Sequence, residues 1–252
     1  MENKVIIVNK RKGQTPLDVI NELKNKDENL RYLPMTYAGR LDPLAEGVLI
    51  ILVGDECMKK DEYNKLSKEY ELTILFGFAT DTYDVMGKLG QIISNRSSSS
   101  FVSPLQEKLL NNFTGRFNQS YPPYSSRTVN GKPLWMWARE GKLDEIEIPS
   151  RVVFVEKIEI IGEDNISGDK LLEKIKEDIG KVSGDFRQEE ILKCWGEELE
   201  NESENHFKTI KLKVVCGSGV YVRGIAHELG KSLGIPSLAL DIKRTKIGEF
   251  TL

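Results

Sequence analysis

The chain has 252 residues, 30% of them charged and 39% hydrophobic, with a formal net charge of −3. That make-up suits a soluble globular protein of one large domain and excludes collagen-like and disulfide-scaffold classes; no apolar run approaches the roughly 20 residues needed to span a bilayer. Three cysteines (Cys57, Cys194, Cys216) and two histidines (His206, His227) stand in no ligand-like spacing, which argues against a zinc set and a histidine triad and suits a reducing cytoplasm.

Val5–Val8 reads as a short buried strand, followed by the basic turn Lys10–Gly13. Thr15-Pro16-Leu17-Asp18 is a helix start, with Thr as cap, Pro at the first helical position and an acid three residues on. Gly47–Val53 is a continuous aliphatic run and Tyr70–Phe76 alternates; both read as strands. Asn95–Ser100 reads as a Ser-rich loop, Pro104–Phe113 as a short helix ending near Gly115, and Leu134–Arg139 as a helix after the breaker Tyr121-Pro122-Pro123-Tyr124. Val152–Ile160 alternates as a strand. Leu171, Leu172, Ile175, Ile179 and Val182 recur at helical spacing. Glu197–Asn205 reads as an acidic mobile loop. Ile210–Val214 is a strand, a helix runs to about Leu233 after Gly217-Ser218-Gly219, and Ser237–Ile242 is a last strand. The sum is a mixed α/β (α+β) protein with a large, mostly antiparallel sheet.

The charge is unevenly spread. Glu156–Lys208 holds 16 acidic and 8 basic residues, a net of −8, which leaves +5 on the rest. An acidic segment inside a basic chain fits a polyanion-binding face with a peripheral acidic elaboration at about 156–208; a merely solvated charged surface is the plainer alternative.

Gly39-Arg40-Leu41-Asp42-Pro43-Leu44-Ala45-Glu46-Gly47 runs into the aliphatic strand. Its glycines and Asp-Pro make a tight loop at the end of a rigid element, a place where catalytic carboxylates tend to lie. An aspartate that merely forms the turn is the alternative. Further blocks are Lys68-Glu69-Tyr70, Gly131-Lys132-Pro133-Leu134 with Ala138-Arg139-Glu140-Gly141, Gly219-Val220-Tyr221-Val222-Arg223-Gly224-Ile225-Ala226, and Arg244–Phe250. Taken together and in order, these blocks resemble the TruB family of tRNA pseudouridine synthases, over nearly the whole chain.

The resemblance implies the pseudouridine synthase fold over residues 1–252 as one catalytic domain, without the family's C-terminal PUA-like RNA-binding domain. It implies isomerisation of the T-loop uridine at tRNA position 55, with no cofactor or metal, by a cytoplasmic monomer whose partner is the T arm of tRNA. The catalytic aspartate falls on Asp42, its paired arginine on Arg223, and the tyrosine that stacks on the base on Tyr70. Asp84, in Asp81-Thr82-Tyr83-Asp84, matches the loop that holds the flipped RNA. Gly39, Arg40, Tyr37 and either Leu240 or Ile242 are expected at the substrate. Lys10, Lys12, Arg127, Lys132, Arg139 and Lys243 are candidate phosphate contacts, of the backbone-positioning kind. Trp135 and Trp137 are candidates to stack on RNA, although two residues apart on a helix they do not share a face, so at least one is expected in the core.

Three positions depart from the family. Tyr37 stands where bacterial members have histidine, Glu46 stands where a small hydroxyl residue is common, and Arg127-Thr128 replaces a lysine of the corresponding segment. The rivals are a pseudouridine synthase acting on another RNA and a non-catalytic tRNA-binding or folding protein on the same scaffold.

Overall fold

The computed structural model describes residues 3–93, 102–200 and 202–252. Strand β1 (Lys4–Lys10) leads to α1 (Pro16–Lys26), whose start is a capping box: Asp18 N donates to Thr15 Oγ1 at 3.2 Å and Thr15 N to Asp18 Oδ2 at 2.7 Å. Then come β2 (Met35–Ala38), β3 (Glu46–Val53), α2 (Lys60–Lys65), β4 (Lys68–Phe76), β5 (Phe78–Thr80) and β6 (Leu89–Ile92). The Ser-rich stretch Asn95–Ser100 lies outside the described residues. Helix α3 (Val102–Phe113), β7 (Gly115–Ser120), the hairpin β8 (Thr128–Val129) and β9 (Lys132–Pro133), and α4 (Leu134–Arg139) follow. The chain continues with β10 (Ser150–Ser167), α5 (Gly168–Gly180), α6 (Gln188–Leu199), β11 (His206–Cys216), α7 (Val222–Leu233) and β12 (Ser237–Ile247).

Among the described residues eight strands form one sheet in the order β1-β3-β12-β4-β11-β10-β7, with β2 also on β3. Every pairing is antiparallel except that of β3 with β12, where Lys243 and Arg244 run parallel to Glu46 and Gly47. This short parallel stitch puts the end of the Asp42 loop against β12. Gly47 is required there: its φ is +107°, and a Cβ would stand 2.1 Å from the Arg244 carbonyl oxygen.

The aliphatic run of β3 is explained by burial on both faces. Leu49, Ile51 and Val53 pack with Val19 and Ile20 of α1, while Val48, Ile50 and Leu52 pack with Ala38 and Ile247. Tyr70, Leu72, Ile74 and Phe76 of β4 face α7 through Ile225, Ala226 and Leu229.

The acidic segment differs from the expectation at its base. It holds most of β10, helices α5 and α6, and the start of β11, so its two ends are strands of the main sheet. Helix α6 occupies part of the stretch expected as a loop. Its Ile191, Trp195 and Leu199 recur every four residues and join Leu171, Ile175 and Ile179 of α5 in a core with Leu75, Phe78, Leu238 and Leu240. Apart from the buried Asp178, the carboxylates of the two helices stand outside this core; the apolar stripe is part of the main sheet's packing. The last strand is also longer than expected, because it continues through buried Arg244 to Ile247.

Candidate active site

Leu41 and Leu44 flank Asp42 and are buried in two different cores, so the loop between β2 and β3 is fastened on both sides of the carboxylate. Its backbone is held from the N-terminal turn. Gly13 N donates to Pro43 O at 2.9 Å, and Lys10 Nζ donates to the carbonyls of Gln14 at 2.6 Å and Pro43 at 3.1 Å. Lys10 is fully buried. Burial pushes its ammonium down to about 8, with Arg244 pushing the same way against the carboxylate of Asp42. It is therefore a structural cation and not the phosphate contact expected.

Arg223 enters from the first turn of α7 with its side chain 4% exposed. Nε donates to Asp42 Oδ2 at 2.9 Å, Nη2 to Tyr124 O at 2.9 Å, and Nη1 to Thr82 O. Asp42 itself is 36% exposed at a cavity of about 730 Å³. One carboxylate oxygen is thus fixed by a buried guanidinium while the group still faces open space. Ahead of α7, Gln119 clamps Tyr221 twice, Nε2 donating to its carbonyl at 3.0 Å and Oε1 accepting from its N–H at 2.9 Å.

Tyr70 lines the same cavity and is buried to 8% exposure. Burial raises its phenol above the ordinary value, only partly opposed by the Arg244 guanidinium, so the ring stands neutral. Arg244 sits opposite Tyr70 in register and 6.0 Å from its ring centre. It donates to the carbonyls of Val48 and Gly39, each at 2.8 Å. In the sequence it heads the block Arg244–Phe250, beyond the expected end of the last strand at Ile242, and no role at the site was expected of it. Asp84 also lines the cavity, folded onto its own loop: Thr82 Oγ1 donates to its Oδ1 at 2.6 Å and Met86 N at 3.0 Å. Burial, with the Asp42 charge adding and Arg223 opposing, pushes its carboxyl up to about 6.

Gly39, Arg40 and Ile242 line the cavity too. Arg127 is exposed, with its guanidinium 5.3 Å from the centre of the Tyr121 ring. Four expected residues lie elsewhere. Leu240 is in the core under α5 and α6. Lys243 is exposed on β12, away from the cavity lining. Tyr37 packs with the α1 core and has the Lys60 ammonium 5.1 Å from its ring centre. Lys12 is sequestered: it pairs with Asp178 at 2.9 Å and with Asp241, and both carboxylates also bind Lys174 at 2.9 Å. Burial opposes the Lys12 charge, but the two carboxylates outweigh it and raise its pKa. Of the tryptophans, Trp135 is 41% exposed and lines the cavity. Trp137 is half-buried, donating to Val129 O at 3.2 Å, with Lys132 Nζ 4.0 Å from its ring centre.

No helix of the described residues is long and apolar enough to cross a membrane, and the described residues contain no group of three or more His, Cys, Asp or Glu placed to hold a metal ion.

Residues 29–173 match the family described as TruB family pseudouridylate synthase (N terminal domain). The chain is similar to proteins named tRNA pseudouridine synthase B. One from Parabacteroides distasonis is 26% identical, over 98% of this chain and 87% of that protein. One from Lactobacillus acidophilus is 29% identical, over 100% and 71%. One from Staphylococcus aureus (strain JH9) is 30% identical, over 100% and 68%. Among solved structures, a chain of a Cbf5-Nop10-Gar1 complex superposes with a TM-score of 0.59 at 16% identity, over 98% of this chain and 49% of that one. The chain spans about half the length of the solved chains it matches, and at that identity the likeness is one of fold.

Proposed function

The chain belongs to the TruB family of pseudouridylate synthases, and we propose that it isomerises the T-loop uridine of tRNA, position 55, to pseudouridine with Asp42 as the catalytic carboxylate. The observation that carries this reading is the partly exposed Asp42 carboxylate, held by buried Arg223 in the lining of a cavity large enough for a nucleotide.

In the reaction the C1′–N1 glycosidic bond breaks, the uracil turns, C1′ bonds to C5, the C5 proton leaves to solvent, and N1 takes up a proton in its place. All other atoms stay within the nucleotide, with no net redox change. Positive charge develops at C1′ as the first bond breaks. A carboxylate beside that carbon stabilises the charge or adds to it covalently, the demand that glycosidases also meet with carboxylates. Arg223 keeps the other carboxylate oxygen in place. Tyr70 offers a neutral ring to the displaced base. As acceptor of the C5 proton it works against its raised pKa, and the adjacent Arg244 is the charge that favours its ionised form. Asp84, Gly39 and Arg40 bound the pocket, and Arg127 contacts phosphate outside it. Bringing the uridine to Asp42 requires flipping it out of the folded arm, offset by stacking in the cavity.

Tritium release from unmodified tRNA carrying C5-labelled uridine tests the reading. The wild-type protein should release tritium and Asp42→Asn should not. Equal release by both would remove Asp42 from the reaction. A wild-type protein that binds the tRNA without release would be a binding protein on the same scaffold.

A further inference from the structure

The turn between α5 and α6 reaches the cavity, yet the reaction above makes no use of it. Gly184 (φ +93°) and Arg187 (φ +65°) both adopt left-handed backbone, which folds the turn tightly. Arg187 anchors one end. Its Nη1 and Nη2 donate to the two carboxylate oxygens of Asp81 at 2.7 and 3.2 Å, and its guanidinium lies 4.4 Å from the centre of the Tyr124 ring. A forked and stacked guanidinium fixes direction as well as distance. Asp185 is the second anchor, paired with Arg139 of α4.

Between these anchors Phe186 is 37% exposed, lines the cavity, and belongs to none of the apolar core clusters of the described residues. Trp135, likewise exposed on the cavity, stands one helical turn before Arg139, on the same face of α4. The Arg139–Asp185 pair therefore brings both rings to one rim. Arg40 and Arg151 line the same cavity. Exposed rings set on pinned backbone among arginines are the equipment of a single-stranded nucleic-acid site, where bases stack on aromatic faces and guanidiniums meet phosphates. The anchors also pair Asp81 and Asp185, so the one carboxylate that the acidic segment brings to the cavity lining, Asp185, has an arginine partner.

We infer that Phe186, together with Trp135, is a stacking platform for an unpaired base next to the flipped target, and that Arg187 is the positioning residue that holds it. This rests on the RNA-substrate reading above. The platform belongs to the binding step: it holds the RNA before chemistry and touches no reacting atom.

Dissociation constants for unmodified tRNA, measured in the Asp42→Asn background, read the platform without chemistry; KM and single-turnover rates in the otherwise wild-type enzyme read it with chemistry. Phe186→Ala and Phe186→Leu should each weaken binding and raise KM about tenfold, while Phe186→Tyr binds as wild type does. The saturating single-turnover rate should change by less than about threefold in all three. Arg187→Ala should reproduce the binding loss of Phe186→Ala, and the double variant should bind no more weakly than either alone. Leucine binding as well as phenylalanine would overturn the proposal, since a leucine fills space but has no stacking face. So would a fall in saturating rate at unchanged KM, which would make Phe186 part of the site's internal packing. An enzyme that forms no pseudouridine in tRNA but shows the Phe186 series in binding would sink the catalytic reading and leave the platform standing.

Discussion

Arg223 Nε donates to Asp42 Oδ2 at 2.9 Å while the two terminal nitrogens of the same guanidinium are taken up by the backbone carbonyls of Thr82 and Tyr124. One side chain thus ties the Asp42 loop to two other loops of the cavity wall. A lysine's donors all sit on one nitrogen and cannot span the three positions that the separate guanidinium nitrogens reach. Arg223→Lys is expected to lower the saturating rate about 10- to 100-fold, the worth of a lost charge-assisted bond, with tRNA affinity within about threefold of wild type. Single-turnover kinetics beside filter binding separate the two. Weakened binding with an intact rate would make Arg223 a contact to RNA.

Lys10 carries the next expectation. It is fully buried, and three carbonyl oxygens, those of Arg11, Gln14 and Pro43, accept from its ammonium. Lys10→Met replaces the stem but removes the donor: the carbonyls of Arg11 and Pro43 keep the backbone N–H groups of Gln14 and Gly13, while that of Gln14 loses its bond. A loss of at least about 2 kcal/mol is expected. Urea unfolding measures it, and an unchanged midpoint would mean that water replaces the ammonium at little cost.

Asp84 predicts a pH dependence of stability. Burial pushes its folded carboxyl from the ordinary 3.8 up to about 6. Between these values the folded protein holds a proton that the unfolded chain releases, so stability falls as pH rises through roughly pH 4 to 6. Above that window the ionised group is a net cost. Asp84→Asn keeps an oxygen to accept from Thr82 and Met86. It should be more stable than wild type at neutral pH by about 1–3 kcal/mol, with the advantage shrinking toward pH 4. Urea midpoints across that range decide the matter; a constant difference between the two proteins would assign the effect to something other than this proton.

Trp195 tests whether α5 and α6 are part of the main fold. It is fully buried, 5.3 Å from Phe78 between ring centres, and its indole N–H is unpartnered among the described residues. Trp195→Ala should cost about 3–5 kcal/mol, in one cooperative transition for the whole molecule. Trp195→Phe should cost much less, because it fills most of the space and breaks no hydrogen bond. Separate melting of the helical pair, followed by circular dichroism and intrinsic fluorescence, would show that the pair is an appendage.

Local rules carried the reading as far as local forces reach. The Thr15–Asp18 cap and the β3 run follow from neighbours within one turn or one strand, and they fall where the residues indicate. The Asp42 loop was legible from its glycines and its resemblance. What was not legible depends on distant partners. Lys12 meets Asp178 and Asp241 across 166 and 229 residues, so its charge alone gave no warning that it was sequestered. Arg244 bonds Val48 across 196 residues, a partner that its block Arg244–Phe250 does not reveal. In α6 only Ile191, Trp195 and Leu199 mark the buried stripe, and the carboxylates from Glu197 onward made its last turn read as part of a loop. Arg187 looked like one more charge in an acidic region until the fold set it on Asp81.

The two-residue parallel stitch between Gly47 and Arg244 has a temporal consequence. A polypeptide emerging from the ribosome presents its Asp42 early, but the neighbour that closes on Gly47 arrives only when β12 has been made. Until then the acid lacks its finished seat, and a nascent fragment ending before Arg244 should be inert toward RNA that a completed copy would modify.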